Sequence, residues 1–347
     1  MPISVLVVDD SAFMRRAISK MLELEPEIVV SATARSGEDA VEKAARLNPD
    51  VITMDVEMPG IGGLEAVRQI MAARKVPIIM VSSLTREGAE TTFRALDLGA
   101  VDFIPKPDSA YVEIKNVARD LIAKVRVFAR RPAPGTPPAR ETQRARRRTL
   151  RERFECVAIG TSTGGPVALS RIIPKIPADF PIPIVIVQHM PAGFTRPLAE
   201  RLDAQSHIRV LEGHEGMILR AGLALVVPSG KQLHLARSGG EVEVRLVPDR
   251  DHSLHVPSVD VMIAEVAQIY GSRSLGVILT GMGQDGVAGL RELKTRGGYV
   301  VGQDEASSVV YGMPRAASVA GLVDRVAALD DIPPLLCELT NTSFARS

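Results

Sequence analysis

Three side chains suited to acyl transfer stand at the ends of apolar runs far apart in the chain. Ser162 lies in "CVAIGTSTGGPVAL", where Gly160-Thr161-Ser162-Thr163-Gly164 makes a G-x-S-x-G pattern between a predicted strand and a predicted helix. Flanking glycines permit a sharp turn that lifts a serine Oγ clear of a sheet. The same turn fails as a phosphate cradle. A Walker loop needs lysine after its last glycine, and Gly165 is followed by Pro166 and Val167. The dinucleotide fingerprint needs glycine where Ser162 stands. A nucleophilic serine requires a base and an acid that orients it. Predicted strand "PIVIVQ" (183–188) runs into His189, and "SLGVILTG" (274–281) runs into a glycine-bracketed loop carrying Asp285. His189 would take the Ser162 proton, Asp285 would fix the imidazole tautomer, and the Met282 backbone N–H is the candidate oxyanion donor. Each residue alone has a plainer explanation: a helix cap for Ser162 or Asp285, a hydrogen-bonded core histidine for His189. His255, in "LHVPSVD", competes as the base.

A second group of chemical residues lies nearer the N-terminus. Asp9 and Asp10 close the run "ISVLVVDD", Asp55 closes "DVITMD", Ser82 lies at the end of "PIIMVSS", and Lys106 ends "VDFIPK". Three carboxylates converging on one rim would repel, and oxygen ligands with room for water suit Mg²⁺. An aspartate beside such a cation can attack a phosphoryl group to give an aspartyl phosphate. Lys106 and the Ser82 hydroxyl could then hold the phosphoryl oxygens.

The elements that must position these residues follow from periodicity. Predicted strands at 3–10, 28–34, 50–55, 77–83 and 101–106 alternate with helices near 12–23, 37–47, 63–73, 87–98 and 111–129. Such alternation implies a parallel sheet with helices on both faces and a ligand site at the carboxyl ends of its strands. A second α/β unit follows, where Ser162, His189 and Asp285 each come after an apolar strand. At 347 residues the chain exceeds a usual single core. The break falls in "RRPAPGTPPARETQRARRRTLRERFE", whose prolines and arginines cannot build a core and read as a linker. The expected division is 1–128, a linker at 129–153, a second domain at 154–340 and a tail at 341–347. A formal net charge of +1 offers no global field for nucleic acid. Two cysteines suit a reducing compartment. "MPISVLVVDDSAFMRR" is unlike a signal peptide, and no run approaches a membrane span. The expectation is a cytoplasmic protein without membrane insertion.

"VLVVDDS", "MDVEMPGIGG", "IIMVSS" and "FIPKP" resemble the receiver domain of response regulators over nearly all of residues 1–125. That resemblance implies a flavodoxin-like, five-stranded receiver with Asp55 as phosphoacceptor, and with Asp9, Asp10 and Asp55 holding Mg²⁺. It further implies that Lys106 contacts phosphate, that Ser82 and Phe103 form a switch pair, and that a chemotaxis histidine kinase is the phosphodonor. "IGTSTGGP", "QHMPAGFT", "HVPSVDVM", "GVILTGMGQDGVAGL" and "DEASSVVYGMP" resemble the catalytic domain of the chemotaxis protein-glutamate methylesterase (CheB) family. This second resemblance implies a doubly wound, mostly parallel catalytic domain with Ser162, His189 and Asp285 as triad and Thr163 and Met282 beside it. Its implied activity is hydrolysis of glutamate methyl esters on chemoreceptors, releasing methanol, with deamidation of receptor glutamines, no cofactor for the esterase step, and recruitment to receptor arrays. Release of the esterase by phosphorylation at Asp55 is implied too. The chain departs from these patterns at Gly62, where receivers commonly have aspartate, and at Val256, where arginine is frequent. The competing readings are a DNA-binding response regulator, for which no basic recognition helix is present, a general esterase or protease, and a non-catalytic receptor-docking adaptor.

Overall fold

The computed structural model describes residues 2–106, 111–129, 154–249 and 253–344. All but the first residue of the segment read as a linker at 129–153 lies outside these. The chain forms two compact units, Met1–Gly135 and Thr136–Ser347.

The first unit runs β1 (Ile3–Val8), α1 (Ala12–Leu22), β2 (Ile28–Ala34), α2 (Gly37–Leu47), β3 (Val51–Asp55), α3 (Gly62–Ala73), β4 (Ile78–Ser82), α4 (Arg86–Asp97), β5 (Asp102–Pro105) and α5 (Tyr111–Ala129). Its strands form one parallel sheet in the order β2-β1-β3-β4-β5. Central strands covered on both faces need continuous apolar runs, and Val5, Leu6, Val7 and Val8 of β1 are wholly buried. Helices begin where side chains can satisfy the first free N–H groups. Ser11 caps α1, Ser36 caps α2 and Thr85 caps α4.

The second unit runs β6 (Cys156–Thr161), α6 (Gly165–Ile172), β7 (Ile184–Gln188), α7 (Thr195–Gln205), β8 (Arg209–Glu212), β9 (Leu223–Val226), β10 (Gln232–Ser238), β11 (Glu241–Val247), α8 (Val259–Tyr270), β12 (Ser274–Ile278), α9 (Val287–Thr295), β13 (Tyr299–Gln303), α10 (Met313–Val319), β14 (Arg325–Ala327) and α11 (Ile332–Leu339). Seven strands make a parallel sheet in the order β14-β13-β12-β6-β7-β9-β8. The sequence pattern did not anticipate the separate antiparallel hairpin of β10 and β11. Leu233, Leu235, Val242 and Val244 of that hairpin join a buried cluster with Met262, Ile263 and Val266 of α8. The strand expected over 274–281 closes at Ile278, because the Thr280 N–H leaves the ladder for Gln303 Oε1 at 2.7 Å.

Both sheets reverse their winding direction beside their first strand. The crevice at such a reversal, beyond the carboxyl ends of the strands, is where α/β folds bind ligands. In the first unit it opens between β1 and β3, and in the second between β6 and β12.

Candidate active site and phosphoacceptor site

Ser162 is the residue after β6 and His189 the residue after β7. The register pairs Thr161 with Gln188, so Ser162 and His189 come next on adjacent parallel strands, which lie about 5 Å apart. Backbone bonds hold the rim together beyond the last strand residues. The His189 N–H donates to Thr161 O at 3.1 Å, and the Ser162 N–H donates to Thr280 O at 3.0 Å. Gln188, only 2% exposed, donates its amide N–H groups to Ser162 O at 2.9 Å and His189 O at 2.8 Å. One side chain thus ties the carbonyl of the serine to that of the histidine.

The turn at Ser162 is set by its neighbours. Gly164 takes φ +76° as the N-cap of α6, so Ser162 is not the capping side chain. Gly160 instead makes room for α8, since an added Cβ would lie 2.2 Å from Val259 Cγ1. Gly281 makes room for α10 and for the serine, because an added Cβ would lie 2.2 Å from Met313 Sδ and 2.9 Å from Ser162 Cβ. The turn that carries Met282 is thereby allowed against the serine. Thr163 is buried, and its carbonyl accepts from the Thr280 hydroxyl at 2.9 Å.

His189 Nε2 lies 2.8 Å from Asp285 Oδ2, with the two side chains 9% and 8% exposed. His189 Nδ1 is buried and has no hydrogen-bond partner. With the ring proton on Nε2 facing the carboxylate, Nδ1 carries a lone pair, the state a general base requires. This is the reverse of the usual triad template, in which Nδ1 faces the acid.

Asp285 is fixed by more than the histidine. Its carboxylate sits at the N-terminus of α8 and accepts Ser258 Oγ at 3.0 Å, Val259 N–H at 2.8 Å and Asp260 N–H at 2.9 Å. Burial opposes its ionisation. Bonding and charge at His189, with the Asp260 and Val259 N–H groups, outweigh burial and hold the acid well below the usual carboxylate range. Asp260 returns the arrangement, accepting Gly286 N–H at 2.9 Å and Gly289 N–H at 2.8 Å at the start of α9. Two helix N-termini therefore exchange carboxylates. Gln188, Ser258, Asp260 and Thr280 escaped the sequence reading. Their only signal was proximity to the motifs, since what they touch depends on register.

His255, the competing base, stacks on His189 with centroids 4.0 Å apart and planes 13° from parallel. Asp285 bonds His189.

In the first unit, carboxylate oxygens of Asp9, Asp10 and Asp55 lie within 4.8 Å of one another. Asp9 and Asp55 are fully buried, and Asp9 Oδ2 has no hydrogen-bond partner. Lys106 Nζ bonds Asp55 Oδ2 at 2.9 Å and stands 3.8 Å from Asp9 Oδ2. Burial raises the Asp55 carboxyl to about 6, Lys106 opposing and Asp9 adding to the rise. Burial raises Asp9 as well, against the Ser11 N–H and Lys106. A buried, crowded carboxylate with an orphaned oxygen fits a hard dication, which would relieve both penalties. Ser82 is wholly buried at the end of β4. Phe103 packs inward against Phe93 with centroids 6.3 Å apart.

Residues 157–336 match the family described as CheB methylesterase, and residues 5–116 match the response regulator receiver domain. A Nitratidesulfovibrio vulgaris relative named protein-glutamate methylesterase/protein-glutamine glutaminase 2 is 45% identical, over 95% of this chain and 97% of its own. A Moorella thermoacetica protein named protein-glutamate methylesterase/protein-glutamine glutaminase is 42% identical, over 97% of this chain and 98% of its own. The crystal structure of the Thermotoga maritima CheB methylesterase catalytic domain is 41% identical, covers 54% of this chain and 98% of that one, and superposes with a TM-score of 0.53. No helix among the described residues is long and apolar enough to cross a membrane.

Proposed function

This chain belongs to the CheB methylesterase family, and we propose that it hydrolyses methyl esters of receptor glutamates and deamidates receptor glutamines through Ser162, His189 and Asp285. The observation that supports the residue assignment is the 2.8 Å contact between His189 Nε2 and Asp285, which leaves the buried Nδ1 without a hydrogen-bond partner, on a residue that follows the strand beside the one Ser162 follows.

Ser162 Oγ attacks the ester carbonyl carbon while His189 Nδ1 takes the hydroxyl proton. The oxyanion that forms is held by the Met282 backbone N–H, on the turn that Gly281 admits against Ser162. Collapse of this intermediate breaks the carbon–methoxy bond, and His189 returns the proton so that methanol leaves. Water then gives a proton to His189 and attacks the acyl-serine, releasing the glutamate carboxylate and restoring Ser162. A glutamine side chain follows the same course with ammonia as leaving group. Asp285 stays ionised throughout and stabilises the imidazolium. Thr163 closes the wall beside the serine.

Asp55 is the phosphoacceptor of the receiver, with a histidine kinase of the chemotaxis type as donor. Asp9, Asp10 and Asp55 would hold Mg²⁺, which neutralises charge while the phosphoryl group is transferred. Lys106 and Ser82 hold the phosphoryl oxygens, and Ser82 with Phe103 carries the change outward. The presence of both units in one chain supports control of the esterase by the phosphoryl state of Asp55. Chemoreceptors as substrate would bring the protein to membrane arrays.

Comparing methylated receptor peptides, glutamine-bearing peptides and a generic ester as substrates tests this reading. Release of methanol and ammonia from the receptor peptides, with little turnover of the generic ester, is expected. Preference for the generic ester would overturn the substrate assignment.

A further inference from the structure

The Asp285 bond fixes one atom of the His189 ring but leaves the ring able to pivot about the Nε2···Oδ2 line, because the χ2 torsion of histidine is broad. A pivot of that kind moves Nδ1, the atom that must reach Ser162. Something has to hold the plane. The His255 ring lies over it at 4.0 Å and 13°. We infer that His255 is a positioning residue whose ring keeps the His189 plane, and with it Nδ1, aimed at Ser162. This inference rests on the triad reading given above.

The support behind His255 closes on itself. Gln232, 4% exposed on β10, donates its amide to His255 O at 3.2 Å. Its Oε1 accepts the Ser258 N–H at 2.9 Å. Ser258 Oγ donates to Asp285 Oδ1 at 3.0 Å, and Asp285 Oδ2 bonds His189 Nε2. His189 stacks on His255, which returns the path to Gln232. One buried amide therefore places both the residue that anchors the acid and the residue that covers the base. The hairpin of β10 and β11, which carries no reacting group, gains a task in this way. Two parallel rings in contact resist tilting, since any tilt drives edge atoms into the opposite face.

The test uses the full chain with His255→Ala, His255→Leu and His255→Phe, and measures methanol release from methylated receptor peptides. Misplacing a reacting group by about 1 Å costs on the order of a hundredfold in rate. The alanine variant is expected to lose between about tenfold and a hundredfold in kcat with KM nearly unchanged. Leucine fills the volume without a flat ring and should stay low, which guards against collapse of the site in the alanine variant. Phenylalanine restores a flat ring and should recover most of the rate. Wild-type kcat in the alanine or leucine variant would overturn the inference. A phenylalanine variant as slow as alanine would overturn it too, assigning the role to the His255 nitrogens. Ser162→Ala runs in parallel. If it retains full activity, the triad reading fails, and that outcome is distinct from failure of the stack alone.

Discussion

Replacing Asp285 with asparagine preserves the side-chain shape and removes its charge, and the geometry sets the cost. Both carboxylate oxygens face donors. Oδ2 meets His189 Nε2 and the Val259 N–H, while Oδ1 meets Ser258 Oγ and the Asp260 N–H. An amide NH₂ at the Oδ2 position opposes the Val259 N–H and forces the His189 proton onto Nδ1, so Nδ1 becomes a donor instead of a base. At the Oδ1 position it opposes the Asp260 N–H, and only the Ser258 hydroxyl can turn to accept it. Either placement leaves a buried N–H without a partner, worth about 1–3 kcal/mol. Loss of the correct tautomer in a triad lowers kcat by about 10⁴. Because asparagine can keep its oxygen on His189 in the second placement, a fall in kcat of about 10³–10⁴ is expected, with a lower melting temperature for the second unit. Steady-state methanol release and thermal unfolding measure the two effects. An Asp285→Asn protein with more than about a tenth of wild-type kcat and an unchanged melting temperature would refute the reasoning.

Further expectations concern residues around both sites. Asp260→Ala removes the acceptor for Gly286 and Gly289 at the start of α9. It should cost about 1–2 kcal/mol of stability, read by denaturant unfolding, and slow the esterase by displacing Asp285; wild-type values of both would count against the paired helix termini. Asp55, raised to about 6 in the folded chain, has an unfolded value near 3.9. The stability it contributes without metal is thus fully present below about pH 4 and lost as pH rises through about 6. Protons and Mg²⁺ compete for this carboxylate, so the Mg²⁺-induced rise in melting temperature should shrink as pH falls through about 6. A metal effect independent of pH would exclude Asp55 as a ligand. Asp55→Asn should leave a low esterase activity that a small-molecule phosphodonor no longer changes, and activation by the donor in that variant would remove Asp55 from control.

The catalytic candidates were legible because they punctuate apolar runs. Asp9, Asp55, Ser162, His189 and Asp285 each end or follow a run that only a buried parallel strand explains, and winding rules send such ends to one rim. Their supports were not legible. Gln188 reads as the polar end of a strand, yet its amide bonds two carbonyls because β6 and β7 pair in one register. Ser258 and Asp260 read as ordinary starts of α8, and their link to Asp285 exists only once α8 and α9 pack with their N-termini together. Which imidazole nitrogen faces the acid is a matter of ring orientation, on which spacing is silent. The β10–β11 hairpin carries a different signal, polar and apolar residues alternating on either side of Gly239-Gly240, which marks a half-buried hairpin and which a search for continuous apolar runs passes over.

Methanol release from methylated receptor by wild type and Ser162→Ala, side by side, tests the central claim most directly. Removal of a serine nucleophile cuts kcat by about 10⁶ and leaves only the part due to binding and the oxyanion donors, so the alanine protein should release methanol at about a millionth of the wild-type rate. Equal release by the two proteins would contradict nucleophilic catalysis by Ser162.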